Sequence, residues 1–501
     1  MTKTLFVFLL TLFSILDSRA AAATTLRWGA DFESGAPYSF KDPKNPEQIV
    51  GFEAEIVAAI ARETGMEAQS FQNNWEGLTE GLKRKDYDIV VNGLEITPDR
   101  AQVVNFSPPY YVTSVVMTVR KDETKIDSLE SAKERKIGTL VGSLAQRILA
   151  QQEFPFEMVT YSEEVHAYSD LALGRIDAVF MDEAIALYYG KPNPMLKIVG
   201  PTVGHMEYGI ATRLEDKELT RKIDKAVRKL SSDGTIRRIL ERWGLWNAKT
   251  ANQWKMSIAP ETPALAYEEY LKTAWKPIRF SERIKRYVGF LPLLAKGALM
   301  TLQISVLAMA LAIIVGLLTA LVRLYGPLPL RWLSIAFVEV FRGTPLLIQL
   351  FLIFYGLPHL GIRFDPFVAA VLGLGLNYGA CEAENYRAGI LSIPKAQMDA
   401  SQALGMSQFQ SLRHIILPQA IRVVIPPVTN DFIALLKDSS LVSVITMVEL
   451  TSTYGQLAST YFDYLGIGLL TAGVYFLIGL PFVRLSRYFE TTLNVQNQKG
   501  R

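Results

Sequence analysis

The stretch GALMTLQISVLAMALAIIVGLLTALV, residues 297–322, runs for 26 positions without Asp, Glu, Lys or Arg. Roughly 20 consecutive apolar residues suffice to cross a bilayer core, so this run predicts a membrane span and divides the chain in two. Ahead of it, residues 1–288 hold 38 Lys plus Arg and 39 Asp plus Glu, whereas residues 289–501 hold 14 and 10. The first part has the charge density of a soluble domain and the second that of a membrane domain. A formal charge of only +3 over 501 residues argues against nucleic acid as a partner. Cys381 is the single cysteine, which excludes an intramolecular disulfide, and His166, His205, His359 and His414 are too scattered for a metal cluster. Gly190-Lys191 is followed by Pro192, so no phosphate loop ends in Gly-Lys-Ser/Thr. Nucleotide chemistry has to come from another chain.

Working outward, residues 464–483 form a second uncharged run, and apolar stretches near 330–357, 366–387 and 423–448 complete an expected set of about five spans. At the other end, Lys3 precedes an apolar run from Leu5 to Leu16 and the small residues Ala20 to Ala23, the pattern of a secretory signal over residues 1–22. Five spans after an exported domain place the C-terminus in the cytoplasm. The basic stretch from Lys276 to Arg286 opposes the usual charge bias and is read as a connector lying along the outer membrane surface.

Between signal and membrane, strand-like runs such as Leu26-Arg27-Trp28-Gly29, Asp88 to Asn92 and Asp177 to Met181 alternate with helical periodicity over residues 52–65 and 219–243. This alternation predicts an α/β fold with parallel sheets, in which ligands gather at the C-terminal ends of strands. Asn92-Gly93, Gly142-Ser143 and Asp182 all lie just past such runs.

Residues 26–247 resemble the polar amino-acid family of bacterial periplasmic solute-binding proteins. The resemblance rests on Gly51-Phe52-Glu53-Ala54-Glu55, on Asn92-Gly93-Leu94-Glu95-Ile96-Thr97-Pro98-Asp99-Arg100, on Phe106-Ser107-Pro108-Pro109-Tyr110, and on Gly174-Arg175-Ile176-Asp177-Ala178-Val179 leading to Asp182. It implies two lobes joined by two crossings, near Val112-Thr113 and between Pro201 and Glu207. For an amino-acid zwitterion, Arg100 offers a planar fork of donors to a carboxylate and Asp182 a counter-charge to an ammonium. Gly93 permits close backbone approach, and Ser143 opens a helix whose free amides also favour a carboxylate. By family position, Trp75 walls the apolar stem and Asp31 is the first-strand acid. Two residues depart from the family pattern: Glu95 stands in place of a small hydroxyl residue, and Leu144 in place of threonine. The acidic balance of Asp31, Glu95, Asp182 and Arg100 favours a substrate with a basic side chain, unless Glu95 points outward.

Residues 293–490 resemble permeases of ABC importers. Asp399-Ala400-Ser401, then Gly405, then Ile415-Ile416-Leu417-Pro418 keep the spacing of the cytoplasmic signature, with Asp399 in place of the usual glutamate. Phe341-Arg342-Gly343-Thr344-Pro345, Arg387 to Ile390 with Ile393-Pro394-Lys395, and Leu436 to Leu441 resemble the amino-acid branch. In the signature, Pro394 is suited to start a short helix, Gly405 to end it left-handed, and Ser407 to cap the next. The resemblance implies that Asp399, Ala400, Gly405, Ile415, Leu417 and Pro418 belong to a knob seated in an ATPase groove. Among the ionisable residues of the membrane part, Glu339 and Arg342 have the spacing of a local pair, and Glu382 or Glu384, costly in the membrane unless paired or facing water, is a candidate for a polar path, with no transport site assigned.

The expected organisation is therefore a signal (1–22), an α/β two-lobed extracytoplasmic amino-acid-binding domain (23–248), a linker (249–288), an all-α permease domain of about five transmembrane helices (289–490) and a cytoplasmic tail (491–501). No cofactor is expected in this chain; ATP and magnesium belong to a separate ATPase pair, and enclosing a path requires a homodimer in the bacterial inner membrane. A ligand-gated channel would need a pore segment inserted within the binding domain. A periplasmic dehydratase has no use for an ATPase-docking knob.

Overall fold

The computed structural model describes residues 25–33, 35–275 and 279–493. The expected signal, and all but the first three residues of the expected tail, lie outside them.

The first lobe is built on a five-stranded sheet. Its strands are β1 (Thr25–Ala30), β4 (Glu67–Gln72), β5 (Ile89–Val90), β6 (Asn105–Phe106) and β12 (Ala211–Thr212), in the order β4-β1-β5-β12-β6; β2 (Phe40–Lys41) and β3 (Ile49–Val50) form a separate small ribbon. The second lobe has β7 (Tyr111–Arg120), β8 (Lys136–Leu140), β9 (Glu157–Tyr161), β10 (Ala178–Asp182) and β11 (Leu196–Tyr208), in the order β11-β7-β10-β8-β9. β1 runs parallel to β4 and β5, and β8 parallel to β9 and β10, but β12 pairs antiparallel with β5 and β6, and β7 antiparallel with β10 and β11. Both sheets are therefore mixed where parallel sheets were expected: the strands on either side of each crossing return in the opposite direction. β10 is buried along its whole length, the mark of a strand covered on both faces. The chain crosses between lobes just before β7 and just after β11. The paired ends of those strands, Val112 opposite Glu207 and Thr113 opposite Met206, fall where the two crossings were expected. Helix Phe52–Thr64 buries Phe52, Ile56, Val57 and Ile60 at helical spacing and ends on Gly65, whose φ of 69° is left-handed.

The stretch expected as a linker is folded. Asn247 caps helix Ala248–Gln253, and helix Leu265–Ala274 buries Tyr270 against Phe40 and Tyr188. The basic connector also differs from expectation. From Phe280 onward it is the start of one continuous helix to Tyr325, 46 residues or about 70 Å long, more than twice a hydrocarbon core. Its first turns continue directly into the apolar run, and Arg286 rests over the Tyr461 ring at 4.8 Å.

Among the described residues, two helices are long and apolar enough to cross a membrane, Phe280–Tyr325 and Tyr464–Thr492, and a third if a bent pair counts as one span. That pair, Leu328–Gly343 and Leu346–Leu360, replaces the single second span expected and is bent by 108°. Pro345 is the reason: the residue before a proline is driven out of the helical region, and Thr344 is extended at φ −117°, ψ 146°. Helices Pro366–Leu391, Leu417–Asp438 and Leu450–Tyr461 pack with these, so the C-terminal part is all helical among the described residues, with two to three candidate spans where about five were expected. Packing there relies on small residues. A Cβ on Gly316 would lie 2.6 Å from Glu382 Cβ and 3.0 Å from the Gly379 carbonyl, so helices Phe280–Tyr325 and Pro366–Leu391 meet nearly backbone to backbone. Arg323 and Arg387 both pair with Glu384.

Candidate functional site: the cleft and the membrane part beneath it

Asp31, Gly93, Ser143 and Asp182 sit at or just past the ends of strands, whereas Trp75 opens a 3-10 turn and Arg100 lies on the short helix Pro98–Ala101. Asp31 follows β1, and its carboxylate accepts from the amides of Glu33 (3.0 Å) and Trp75 (2.8 Å) and from Gln72 Nε2 (3.1 Å). It thereby holds the Trp75 loop. The Trp75 indole donates to the Val141 carbonyl at 2.9 Å, reaching from the first lobe to the second. Gly93 takes φ 60°, and a Cβ there would stand 2.9 Å from the Tyr38 ring, so both conformation and space require glycine. Ser143 caps helix Leu144–Ala150 by accepting from the Gln146 amide. Asp182 ends β10 and accepts the hydroxyls of Tyr38 and Tyr208.

One cavity between the lobes is lined by Trp75, Gly93, Glu95, Ser143 and Asp182, together with Tyr38 and Glu164. Arg100 stands just behind, over the Trp75 ring at 5.3 Å. Glu95 departs from the free helix amide and open fork expected for a ligand. It is 2 % exposed and points inward; its carboxylate pairs with Arg100 Nη1 and accepts from the Leu144 amide at 2.9 Å. A serine side chain ends two bonds too early to make this bridge, so the departure from the family residue is what fills the expected carboxylate seat. Arg100 also donates across the cleft to the Gly142 carbonyl at 3.1 Å.

Burial dominates the electrostatics. It raises Asp182 to about 7, with Glu95 adding to the rise and the two tyrosine hydroxyls opposing it. It also raises Glu163 to about 7, with Asp31 adding, and Glu53 to about 7 against donors from Tyr110 and the Gly93 amide. Glu53 accepts that amide at 2.6 Å and so holds the glycine loop; Tyr38, Glu53, Glu164 and Tyr208 are the cleft residues that sequence reading missed. Glu53 lies in the quoted Gly51 to Glu55 motif. The other three had no signal beyond their neighbourhood, because their convergence depends on lobe closure.

Both lobes rest on the membrane part. From the first lobe, Glu33 accepts from Ser452 Oγ at 2.9 Å, the Pro43 carbonyl accepts from the Tyr461 hydroxyl at 2.8 Å, and the Arg84 guanidinium lies over the rings of Phe354 and Tyr355 at 4.0 and 4.8 Å. From the second, Tyr189 and His166 pack on Phe462 and Tyr464. A partly open cavity of about 540 Å³ lies between, walled by Asp31, Trp75 and Glu163 above and by Phe351, Tyr355 and Val444 below.

The hairpin at residues 395–418 follows the expected local geometry. Helix Lys395–Ala403 begins after Pro394, Gly405 takes φ 84°, and Ser407 forms a reciprocal capping box with Gln410 at helix Gln408–Ser411. Asp399, Ala400 and Pro418 are exposed, and Ile415 and Leu417 pack with Ile390 and Ile416 beneath the hairpin. Leu404 and Phe409 project outward, 84 % and 69 % exposed.

Comparison with known proteins agrees with this division. Residues 26–245 match the bacterial extracellular solute-binding proteins, family 3, and residues 289–495 the binding-protein-dependent transport system inner membrane component. The L-cystine transport system permease protein TcyB of Bacillus subtilis is 42% identical over 191 residues, 38% of this chain and 82% of that protein. The glutamine transport system permease protein GlnP of Escherichia coli is 38% identical over 207 residues, 41% of this chain and 94% of that protein. Among solved structures, an ancestral arginine-binding protein bound to glutamine is 34% identical, covering 44% of this chain and 98% of its own, with a TM-score of 0.42. The chain thus belongs to the family of binding-protein-dependent transport system inner membrane components, with a solute-binding domain and a permease domain in one polypeptide.

Proposed function

We propose that this chain is the capture and membrane subunit of an ATP-driven importer of polar or basic amino acids. The observation that carries the reading is the cleft cavity between the lobes, placed directly over the membrane part, with Trp75 forming the wall between that cavity and the space above Phe351, Tyr355 and Val444. An amino acid held by Arg100, by the helix start at Ser143 and by Asp182, against Gly93 and Trp75, is separated from the membrane side by Trp75, which moves when the lobes open. Asp31 holds the loop that carries Trp75. Because both lobes touch the membrane part, only a closed domain presents both contact surfaces together. Permease relatives named for glutamine and L-cystine support an amino-acid cargo.

In this reading residues 23–248 bind and residues 289–490 form a permease half of about five spans, paired with a second copy in the inner membrane. The binding domain faces outward, with the signal at residues 1–22 directing its export. Residues 399–418 seat in a separate ATPase pair, which supplies the ATP and magnesium chemistry. The exposed Leu404 and Phe409 are the apolar face that such a groove covers. Calorimetry on the purified full chain in nanodiscs, against a panel of amino acids, tests the reading: at least one polar or basic amino acid binds saturably, and no binding across the panel overturns it.

A further inference from the structure

Glu164 opens helix Glu164–Ala172 and lines the cleft cavity, yet no part of the importer reading uses it. It is 3 % exposed, and its Oε2 atom has no hydrogen-bond partner. Glu95 and Asp182 line the same cavity, and no Lys, Arg or His lines it. The guanidinium nearest the cavity, Arg100, is engaged by Glu95 and the Gly142 carbonyl. Asp182 has two phenol donors, whereas the open oxygen of Glu164 has none. Burying a carboxylate without a counter-charge is costly, and an apolar residue at the same position avoids that cost. What the cavity lacks is a cation, and none of the described residues lining it supplies one.

We propose that Glu164 forms a cation subsite in the cleft, selecting an amino acid whose side chain ends in a guanidinium or ammonium group. The proposal rests on the reading of the cleft as an amino-acid site. Within it, Asp182 meets the α-ammonium and the ligand carboxylate competes with Glu95 for Arg100, which leaves Glu164 for the distal charge. A neutral side chain leaves Glu164 unmatched and binds less well.

Arginine and citrulline have nearly the same shape and differ in that charge, so their affinities for the full chain in nanodiscs are compared by calorimetry. Wild type is expected to bind arginine at least tenfold more tightly than citrulline. Glu164→Gln is expected to bring that ratio close to one with citrulline affinity changed less than twofold. A wild type without arginine preference, or an unchanged ratio in the variant, overturns the subsite. Agmatine, a guanidinium without a carboxylate, separates the two readings if no amino acid binds. Agmatine bound by wild type and lost in Glu164→Gln keeps the subsite while the amino-acid reading fails; agmatine bound by neither rejects both. Thermal unfolding of ligand-free Glu164→Gln and Glu164→Leu controls for folding, and both are expected to melt at or above the wild-type temperature. Melting well below it in both variants shows Glu164 to be structural and rejects the subsite.

Discussion

In the cleft, Glu95, Glu164 and Asp182 face one cavity, and the nearest guanidinium is already committed to Glu95. In the hairpin at residues 395–418, the helix ends are closed from within by Gly405, Ser407 and Gln410, and what remains outward is the apolar pair Leu404 and Phe409. Both regions leave something unmatched, and its kind differs. Unmatched charge in a closed cavity suits a small ion, because a few atoms compensate it. Unmatched apolar surface on a locally hydrogen-bonded helical hairpin suits a protein groove. The difference teaches that ligand capture and mechanical coupling are separable in this chain, which suggests variants that damage one and spare the other.

The largest effect is expected at the cleft. Arg100→Ala removes the planar fork and leaves Glu95 buried beside no cation, so affinity for the amino acid is expected to fall thirtyfold or more, about 2 to 5 kcal/mol. Calorimetry on the full chain reads this, and a near wild-type Kd detaches Arg100 from ligand binding. Glu95→Ser is the partner variant. It vacates the Leu144 amide and is expected to narrow any preference for basic over neutral amino acids, since one carboxylate leaves the cavity wall.

The converse variant is Gly405→Val. At φ 84° a β-branched residue is strained, although the space beside Gly405 is open, so the penalty comes from the backbone alone. Substrate affinity is expected to stay within twofold while transport in liposomes reconstituted with the ATPase falls about tenfold. Wild-type transport in this variant removes the hairpin from the coupling path.

The smallest effect sharpens the electrostatic side of the comparison. Glu53 and Glu163 titrate near 7 in the folded chain and well below that when unfolded, so between about pH 4.5 and 7 the folded form holds protons that the unfolded form has lost. Their contribution to stability is therefore complete at acid pH and is lost as pH rises through 7, at up to about 1.4 kcal/mol per pH unit for each group. Ligand-free unfolding of the binding domain within the full chain is expected at a higher temperature at pH 6 than at pH 8. The reverse order contradicts burial as the dominant influence on these acids. The capped hairpin has no buried acid and predicts no such slope.

Much of this molecule was legible along the chain because the signals are local. An uncharged run such as residues 297–322 is membrane-compatible whatever surrounds it, β10 is apolar up to Asp182 because it is covered on both faces, and the Pro394, Gly405 and Ser407 geometry depends on φ preferences and hydrogen bonds within a few residues. The same holds for the placement of Gly93, Ser143 and Asp182 at or just past strand ends, since strands joined by crossovers put loops there, whereas Asp31 was legible only by family resemblance.

Tertiary structure alone decided the inward turn of Glu95 onto Arg100 and the Leu144 amide, because that bridge joins residues 49 positions apart on different lobes. It also decided that Pro345 breaks the second apolar stretch by 108° and that residues 280–286 begin a 46-residue helix, since an apolar count carries no direction. Glu164 is the clearest case. In the sequence it is one of two glutamates before a helix, and only the closure of two lobes leaves its carboxylate buried in a shared cavity without a counter-charge. Propensity and periodicity act over one or two turns, whereas the charge balance of a cleft is a sum over residues that the fold brings together.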